Sequence, residues 1–230
     1  YKFRAKITLT NVSGDYCLFS LQGPKSDEIA KFCGISVPSA IDLAIVETAE
    51  DAPARWVARV APSERSGLWM WADRSQKKTL WEALKNAGAT ESGTAVLDVL
   101  RVEAGIPEWG RDIDETIIPM EALQQRALSF SKCYPGQEVL SRIHFRGHVN
   151  RMLQIIAVDG DSVPPVGASV WTAQQETGRL TSVVRNPETN QIVALGYIKR
   201  QAKIDSEPLI VKWEGHEAGA QSRRLPYETE

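Results

Sequence analysis

From Asn150 onward the chain offers only short apolar runs separated by turn residues, and this regularity constrains its fold more than any other feature. Met152 to Val158, Ala168 to Thr172, Gly178 to Val184, Ile192 to Ile198 and Pro208 to Trp213 each have the length and the aliphatic content of a strand. Between them lie Asp159-Gly160-Asp161, Pro164-Pro165-Val166-Gly167, Glu176-Thr177-Gly178 and Asn186-Pro187-Glu188-Thr189-Asn190, built from the residue types that turns select. Short strands at such spacing predict a small β-barrel.

The chain before that point has a different grammar. Tyr16-Cys17-Leu18-Phe19-Ser20-Leu21 reads as a strand, and Gly23-Pro24 then opens a helix whose apolar face carries Ile29, Phe32 and Cys33 and whose stop is Gly34. Arg55 to Val60 and Leu68 to Ala72 read as two more strands; Leu68-Trp69-Met70-Trp71 is apolar at every position and is expected to be buried on both faces. Ser75 is placed as the cap of a helix bearing Leu80, Trp81, Leu84 and Ala87, which Gly88 ends. The order strand, helix, two strands, helix predicts an α+β sandwich of ferredoxin-like type. The expected division is an α+β region over residues 1–146 and an antiparallel β-barrel over residues 147–230.

A third helical pattern spans Ala95 to Ala104. At about 100° per residue, Val96, Leu97, Val99, Leu100 and Ala104 share one arc. Glu103 falls in the middle of that arc, whereas Asp98 and Arg101 point the other way and are expected to face solvent. A carboxylate on an apolar helix face must be paired, protonated or turned toward a ligand. A ligand with an amidine-like edge, such as a pterin, would suit it by giving two parallel N–H bonds; an internal salt bridge to Arg101 or Arg111 would satisfy it equally.

Two other groups attract attention. Cys133 stands beside Lys132 and before Tyr134-Pro135-Gly136, and a neighbouring cation favours the reactive thiolate; on spacing alone, however, a free cysteine here reads first as a small packed side chain at a turn. Arg142, His144, Arg146 and His148 recur at period two, so an extended backbone would gather them on one face, either to meet an anion or to face water. Trp69, Trp71 and Trp109 could stack on an aromatic ring, although the first two are expected in the core.

Composition closes off several functions. The chain of 230 residues carries Lys+Arg 27 against Asp+Glu 29, so its net charge of -2 gives no overall attraction to phosphate backbones or anionic membranes, and no direct nucleic-acid or membrane partner is expected. No apolar run approaches a membrane span, and the opening Tyr1-Lys2-Phe3-Arg4-Ala5-Lys6 lacks the apolar stretch of a signal peptide, which points to the cytoplasm. The 3 cysteines, Cys17, Cys33 and Cys133, suit a reducing compartment and cannot supply the four ligands of an iron–sulfur cluster. His144, His148 and His216 have no metal-motif companions, and no resident metal site is expected.

Taken together, Arg101-Val102-Glu103-Ala104-Gly105-Ile106-Pro107, Trp109-Gly110-Arg111-Asp112-Ile113-Asp114 and Pro119-Met120-Glu121-Ala122 resemble the corresponding stretch of the aminomethyltransferases of glycine cleavage and of the related YgfZ-like folate-binding proteins. The run Cys133-Tyr134-Pro135-Gly136-Gln137-Glu138 resembles the YgfZ signature, in which a cysteine stands where the transferases have none. Arg146-Gly147-His148-Val149-Asn150-Arg151 and Ala194-Leu195-Gly196-Tyr197-Ile198 fit the same branch. One departure is visible: Lys132 precedes Cys133 where the signature has glycine, and Ser131 occupies the signature's lysine position. The resemblance covers most of residues 1–226 and places Tyr1 partway through the folate-binding region, so an N-terminal part, which in the transferases carries a catalytic aspartate, is expected to be missing.

The resemblance implies an aminomethyltransferase-like fold around tetrahydrofolate. Glu103 would face the pterin, with Tyr134, Gln137, Arg142 and Arg146 as further cofactor-binding candidates, and Cys133 with Lys132 would be the reactive pair. It also implies an accessory role in assembling or repairing iron–sulfur clusters of client enzymes, some of which modify tRNA, with the cluster belonging to the client. A tetrahydrofolate-dependent aminomethyl or one-carbon transferase and a non-catalytic interaction scaffold are the alternatives.

Overall fold

The computed structural model describes residues 6–41, 43–60, 67–122, 128–202 and 208–223, and the chain divides into two compact units, Tyr1–Ser92 and Gly93–Glu230. In the first unit the alternation of Cys17, Phe19 and Leu21 puts every second residue of β1 (Tyr16–Gln22) against helices. The chain continues through α1 (Ser26–Phe32), β2 (Ile45–Glu47), β3 (Trp56–Arg59), β4 (Gly67–Asp73), a short 3-10 turn at Arg74–Gln76 and α2 (Lys77–Asn86). The strands form an antiparallel sheet in the order β1-β4-β3-β2. Ala30 of α1 and Leu80 and Leu84 of α2 share one core with Phe19, Leu21, Val57, Leu68, Met70 and Ala72 on that face of the sheet. Buried Arg59 adds a polar tie, donating to the Asp27 carboxylate of α1 at 2.7 and 2.9 Å and to the Pro38 carbonyl at 2.8 Å.

Two details differ from the sequence reading. Strand β4 is buried on one face only: Leu68 and Met70 are fully buried, but Trp69 is 36% exposed, because helices cover a single side of the sheet. Ser75 lies within the 3-10 turn and caps nothing, since α2 begins at Lys77 without a side-chain cap. Strand β2 escaped notice because Ile45-Val46-Glu47 is too short to show a period.

In the second unit, α3 (Thr94–Glu103) leads through turn-rich residues 104–122 to α4 (Gln137–Arg146) and then to strands alone. These are β5 (Arg151–Val158), β6 (Ser169–Trp171), β7 (Glu176–Arg185), β8 (Ile192–Lys199), β9 (Leu209–Trp213) and β10 (His216–Arg223), closed into an antiparallel barrel in the order β10-β5-β8-β7-β6-β9. The expected barrel is present, and α3 packs in the same unit, so the compact division falls at residues 92 and 93 while the barrel's first strand starts at Arg151. No helix among the described residues is long and apolar enough to cross a membrane.

Strand β8 explains why its sequence is apolar throughout. Ile192, Ala194 and Ile198 point into the barrel with Ile156, Val170, Leu180, Leu209 and Val211. Val193, Leu195 and Tyr197 point outward, yet they too are buried, under Val99 and Val102 of α3 and Ile117. The barrel therefore has a second core on its outer surface. Small size is required where β7 and β8 meet: a Cβ on Gly196 would lie 2.6 Å from the Arg179 carbonyl oxygen.

A buried polar network locks α3 and the 104–122 segment onto that outer surface. The Arg101 guanidinium donates to Asp98 (2.6 Å), Asp112 (2.7 Å) and the Ser182 hydroxyl (2.9 Å). Asp112 also accepts from Thr181 (2.5 Å), Ser182 (2.7 Å) and the backbone N–H of Glu108 (3.0 Å), while the Tyr197 hydroxyl donates to its carbonyl at 3.0 Å. Arg101 is thus a core residue at 8% exposure, not the solvent-facing one its wheel position suggested. Burial, then the neighbouring Asp112 and Glu121 carboxylates, push the Tyr197 phenol well above its ordinary range.

Replacing Arg101 by Leu strands a buried carboxylate, so the second unit should lose about 3–5 kcal/mol in denaturant unfolding; a loss under about 1 kcal/mol would show that Asp112 finds other compensation. Because the folded Tyr197 phenol keeps its proton where the unfolded one, near pH 10, gives it up, stability should fall as pH rises above roughly 10. Unfolding midpoints of the native chain and Tyr197→Phe across that range check this, the variant showing the shallower decline.

Candidate functional site

The site residues expected from the sequence lie in two places in the second unit, the exposed face of α3 and α4 with the turn that leads into it. On α3, Arg101 and Val102 are the buried residues, and the helix is rotated so that the arc holding Val96, Leu97 and Glu103 is open. Val96 is 46% exposed and Leu97 is 40% exposed. Glu103 is exposed as well, and its carboxylate accepts one bond, 2.5 Å, from the Asn186 side chain in the turn between β7 and β8. The arginines weighed as its internal partners are engaged elsewhere: Arg101 in the network above and Arg111 with Asp98 and Glu108, both at 2.9 Å. The result is a carboxylate displayed on an apolar helix face.

The second group surrounds Cys133. Gly136 stands at the N-cap of α4 with φ 89, a left-handed conformation that a residue with a Cβ adopts with strain. The Gln137 side chain donates back to the Phe130 carbonyl at 2.9 Å and to Ser141 at 2.8 Å, and the Lys132 backbone N–H donates to Ser129 at 3.2 Å. Gln137 therefore spends its amide N–H groups on holding the turn. Cys133 is exposed; Cys17 is half-buried with its thiol 3.4 Å from the Ala72 carbonyl, and burial pushes the half-buried Cys33 thiol up. The Tyr134 hydroxyl is buried and has no hydrogen-bond partner among the described residues, a state it shares with the Thr177 hydroxyl on β7.

Residues 142–148 do not form the expected extended strand. Residues 137–146 are helical, because Gly136 starts a helix that Val139, Leu140 and Ile143 continue at helical spacing. This sends Arg142 and Arg146 to one side and His144 to another. Arg142 pairs with Glu138 at 3.0 Å, one turn back, and Arg146 is exposed. No hydrogen bond or ion pair among the described residues joins Glu103 to Cys133, Tyr134 or Arg142. Nor do the described residues include a cluster of His, Cys, Asp and Glu able to hold a metal ion.

Sequence reasoning passed over an aromatic groove in the first unit. Tyr16, Leu18, Ile45, Trp56 and Trp71 line a space of about 520 Å³ on the open face of the sheet, with the Tyr16 and Trp56 rings 4.9 Å apart. Trp69 and Trp71, expected in the core, belong to this uncovered face, and Trp109 in the other unit is 66% exposed. The alternation of Tyr16, Leu18 and Ser20 against Trp69 and Trp71 carried the signal, but only once the register Leu18 to Trp71 is known.

An antiparallel sheet flanked by helices, followed by a closed barrel with a carboxylate-bearing helix on its outer surface, defines the class of aminomethyltransferase-like folds. Family comparison makes this specific: residues 2–132 match the GCVT N-terminal domain and residues 150–226 match the glycine cleavage T-protein C-terminal barrel domain, and the chain belongs to this family. It is 24% identical over 222 residues to an aminomethyltransferase of Aquifex aeolicus, covering 96% of this chain and 60% of the relative. Against an aminomethyltransferase of Geobacillus thermodenitrificans it is 27% identical over 210 residues, covering 85% and 55%. The crystal structure of the glycine cleavage system aminomethyltransferase T from Bartonella henselae superposes with a TM-score of 0.79 at 21% identity, over 93% of this chain and 60% of that one. The chain thus spans roughly three-fifths of the length of these relatives.

Exposure orders the three thiols. Under native conditions Cys133 should alkylate at least about tenfold faster than Cys17 and Cys33, since partial burial slows reagents at both and disfavours the thiolate at Cys33. Peptide-resolved labelling reads this directly, and equal rates would remove Cys133 from consideration as a reactive group.

Proposed function

We propose that this chain binds tetrahydrofolate, with Glu103 receiving the amidine-like edge of the pterin. The observation that carries this reading is the open face of α3, where a carboxylate whose one partner among the described residues is the neutral Asn186 stands among exposed Val96 and Leu97. An ionised carboxylate accepts two parallel N–H bonds from such an edge, while the flanking aliphatic side chains exclude water and strengthen both. Tyr134 is the next best candidate, through its unpartnered hydroxyl, and Arg146 offers an exposed guanidinium for an anionic part of the ligand. Gln137 and Arg142 are weaker candidates, each already engaged within α4 or its turn.

Within the family, we place the chain on the YgfZ-like branch because of the segment Lys132 to Glu138, and assign it an accessory role in assembling or repairing iron–sulfur clusters of client enzymes, including those that modify tRNA. An exposed Cys133 is what a reactive or redox-sensitive thiol requires, with Lys132 beside it in sequence. The second reading is a one-carbon transferase, favoured by the names of the relatives, which are aminomethyltransferases. Turnover of an aminomethylated carrier protein by the full-length protein would decide for the transferase.

Glu103→Gln should weaken tetrahydrofolate binding by about 1–3 kcal/mol, the range for losing charge-assisted hydrogen bonds, with the fold unchanged. Calorimetric titration of full-length native and variant proteins measures this; equal affinities would remove Glu103 from the site. Cys133→Ala should bind folate normally yet fail to restore iron–sulfur enzyme activity in cells lacking the native protein, and full restoration would reduce Cys133 to a turn residue.

A further inference from the structure

Where α4 ends and the chain turns into β5, the second unit has a small cleft of about 180 Å³. Its polar lining is His144, His148 and Arg200, over an apolar floor of Met120, Ile143 and Met152. Two of the chain's 3 histidines and two of its 3 methionines meet here, although they come from three separate stretches of sequence.

The parts are held independently of any ligand. The His144 ring lies flat on Phe130, with centroids 4.1 Å apart and planes at 10°, and its other neighbour, Phe145, meets it edge-on at 4.7 Å. Arg200 follows β8, and its backbone N–H donates to the Asn150 carbonyl at 2.9 Å, which keeps it beside the turn that bears His148. Met120 is 6% exposed and forms a rigid part of the floor. Among the described residues no carboxylate lines the cleft, and the nearby carboxylates are committed: Glu138 to Arg142 at 3.0 Å and Glu121 to Arg151 at 3.1 Å.

Such a lining selects by charge and by size. A guanidinium offers a planar fork of donors and each imidazole can donate an N–H bond, so the three groups together suit an oxyanion. The volume lies well below the roughly 300–1,000 Å³ of sites that enclose drug-sized ligands, so only a small molecule or a head group fits. We propose that this cleft binds a phosphate or carboxylate group carried on a short apolar stem, with Arg200 and His148 gripping the oxyanion, His144 held in position by Phe130, and the stem resting on Met120, Ile143 and Met152.

The test uses the full chain, with the histidine ring signals followed by NMR during titration with inorganic phosphate or propionate, against chloride at equal ionic strength. His216 on β10 does not line the cleft and serves as the internal reference. The expected result is a saturable shift of His144 and His148, but not His216, with at least one of the two anions. Arg200→Gln should weaken that binding about tenfold, the effect of one charge-assisted bond, while leaving His216 and the melting temperature in place. Saturation by phosphate alone identifies a phosphate group as the natural head, and saturation by propionate alone a carboxylate. Shifts that do not saturate, that chloride reproduces, that extend equally to His216, or that ignore Arg200→Gln would each overturn the proposal.

Discussion

The arrangement of the second unit depends on one buried ion pair. Arg101 of α3 and Asp112 of the following segment meet at 2.7 Å, and loss of Arg101 would leave the Asp112 carboxylate buried without its cation. Ser182 makes the pair specific: its hydroxyl accepts from Arg101 and donates to Asp112, so a single strand residue reads both charges. Because those contacts lie on the outer wall of the barrel, the pair fixes the rotation of α3 about its own axis. That rotation decides which residues the helix displays, and it is why Val96, Leu97 and Glu103 face outward.

The same network marks the boundary of what the sequence discloses. Barrel strands were legible because Pro, Gly and Asn clusters punctuate aliphatic runs, and β8 reads as continuous because both of its faces are covered. The rotation of α3 was not legible. Hydrophobicity alone turns the apolar arc inward, whereas here a buried arginine satisfied by Asp98, Asp112 and Ser182 outcompetes it, and Ser182 lies 81 residues along the chain. Helix α4 was misread as extended since Arg142, His144, Arg146 and His148 alternate, and period two is persuasive when the apolar residues between them are few. Strand β10 was missed for the opposite reason: His216-Glu217-Ala218-Gly219-Ala220 has neither branched nor aromatic residues, and its place comes from pairing with β5 and β9.

For the candidate site the balance is similar. Glu103 and Cys133 stood out in the sequence, one by an anomalous wheel position and the other by its turn, and both prove exposed. What the sequence could not separate were side chains that serve the local fold from side chains left open to a ligand. Gln137 looks like a ligand-binding residue in a motif, yet its amide ties Phe130 and Ser141 together. Tyr134, three residues before it, has a hydroxyl with no partner among the described residues.

The closure of the barrel has a kinetic side. Its seam joins β5 to β10, pairing Ile155 with Arg223 and Val158 with Ala220, so the first and last strands of the barrel must find each other across all the others. A growing chain on the ribosome can form the β5-β8 and β7-β8 pairs early, but it cannot shut the cylinder until residue 223 has emerged. Until then β5 presents an open, apolar edge, and the slow, non-local step comes last. That edge is covered only by β10, the last strand to emerge, whose polar character lets it leave the ribosome without adding an apolar surface of its own.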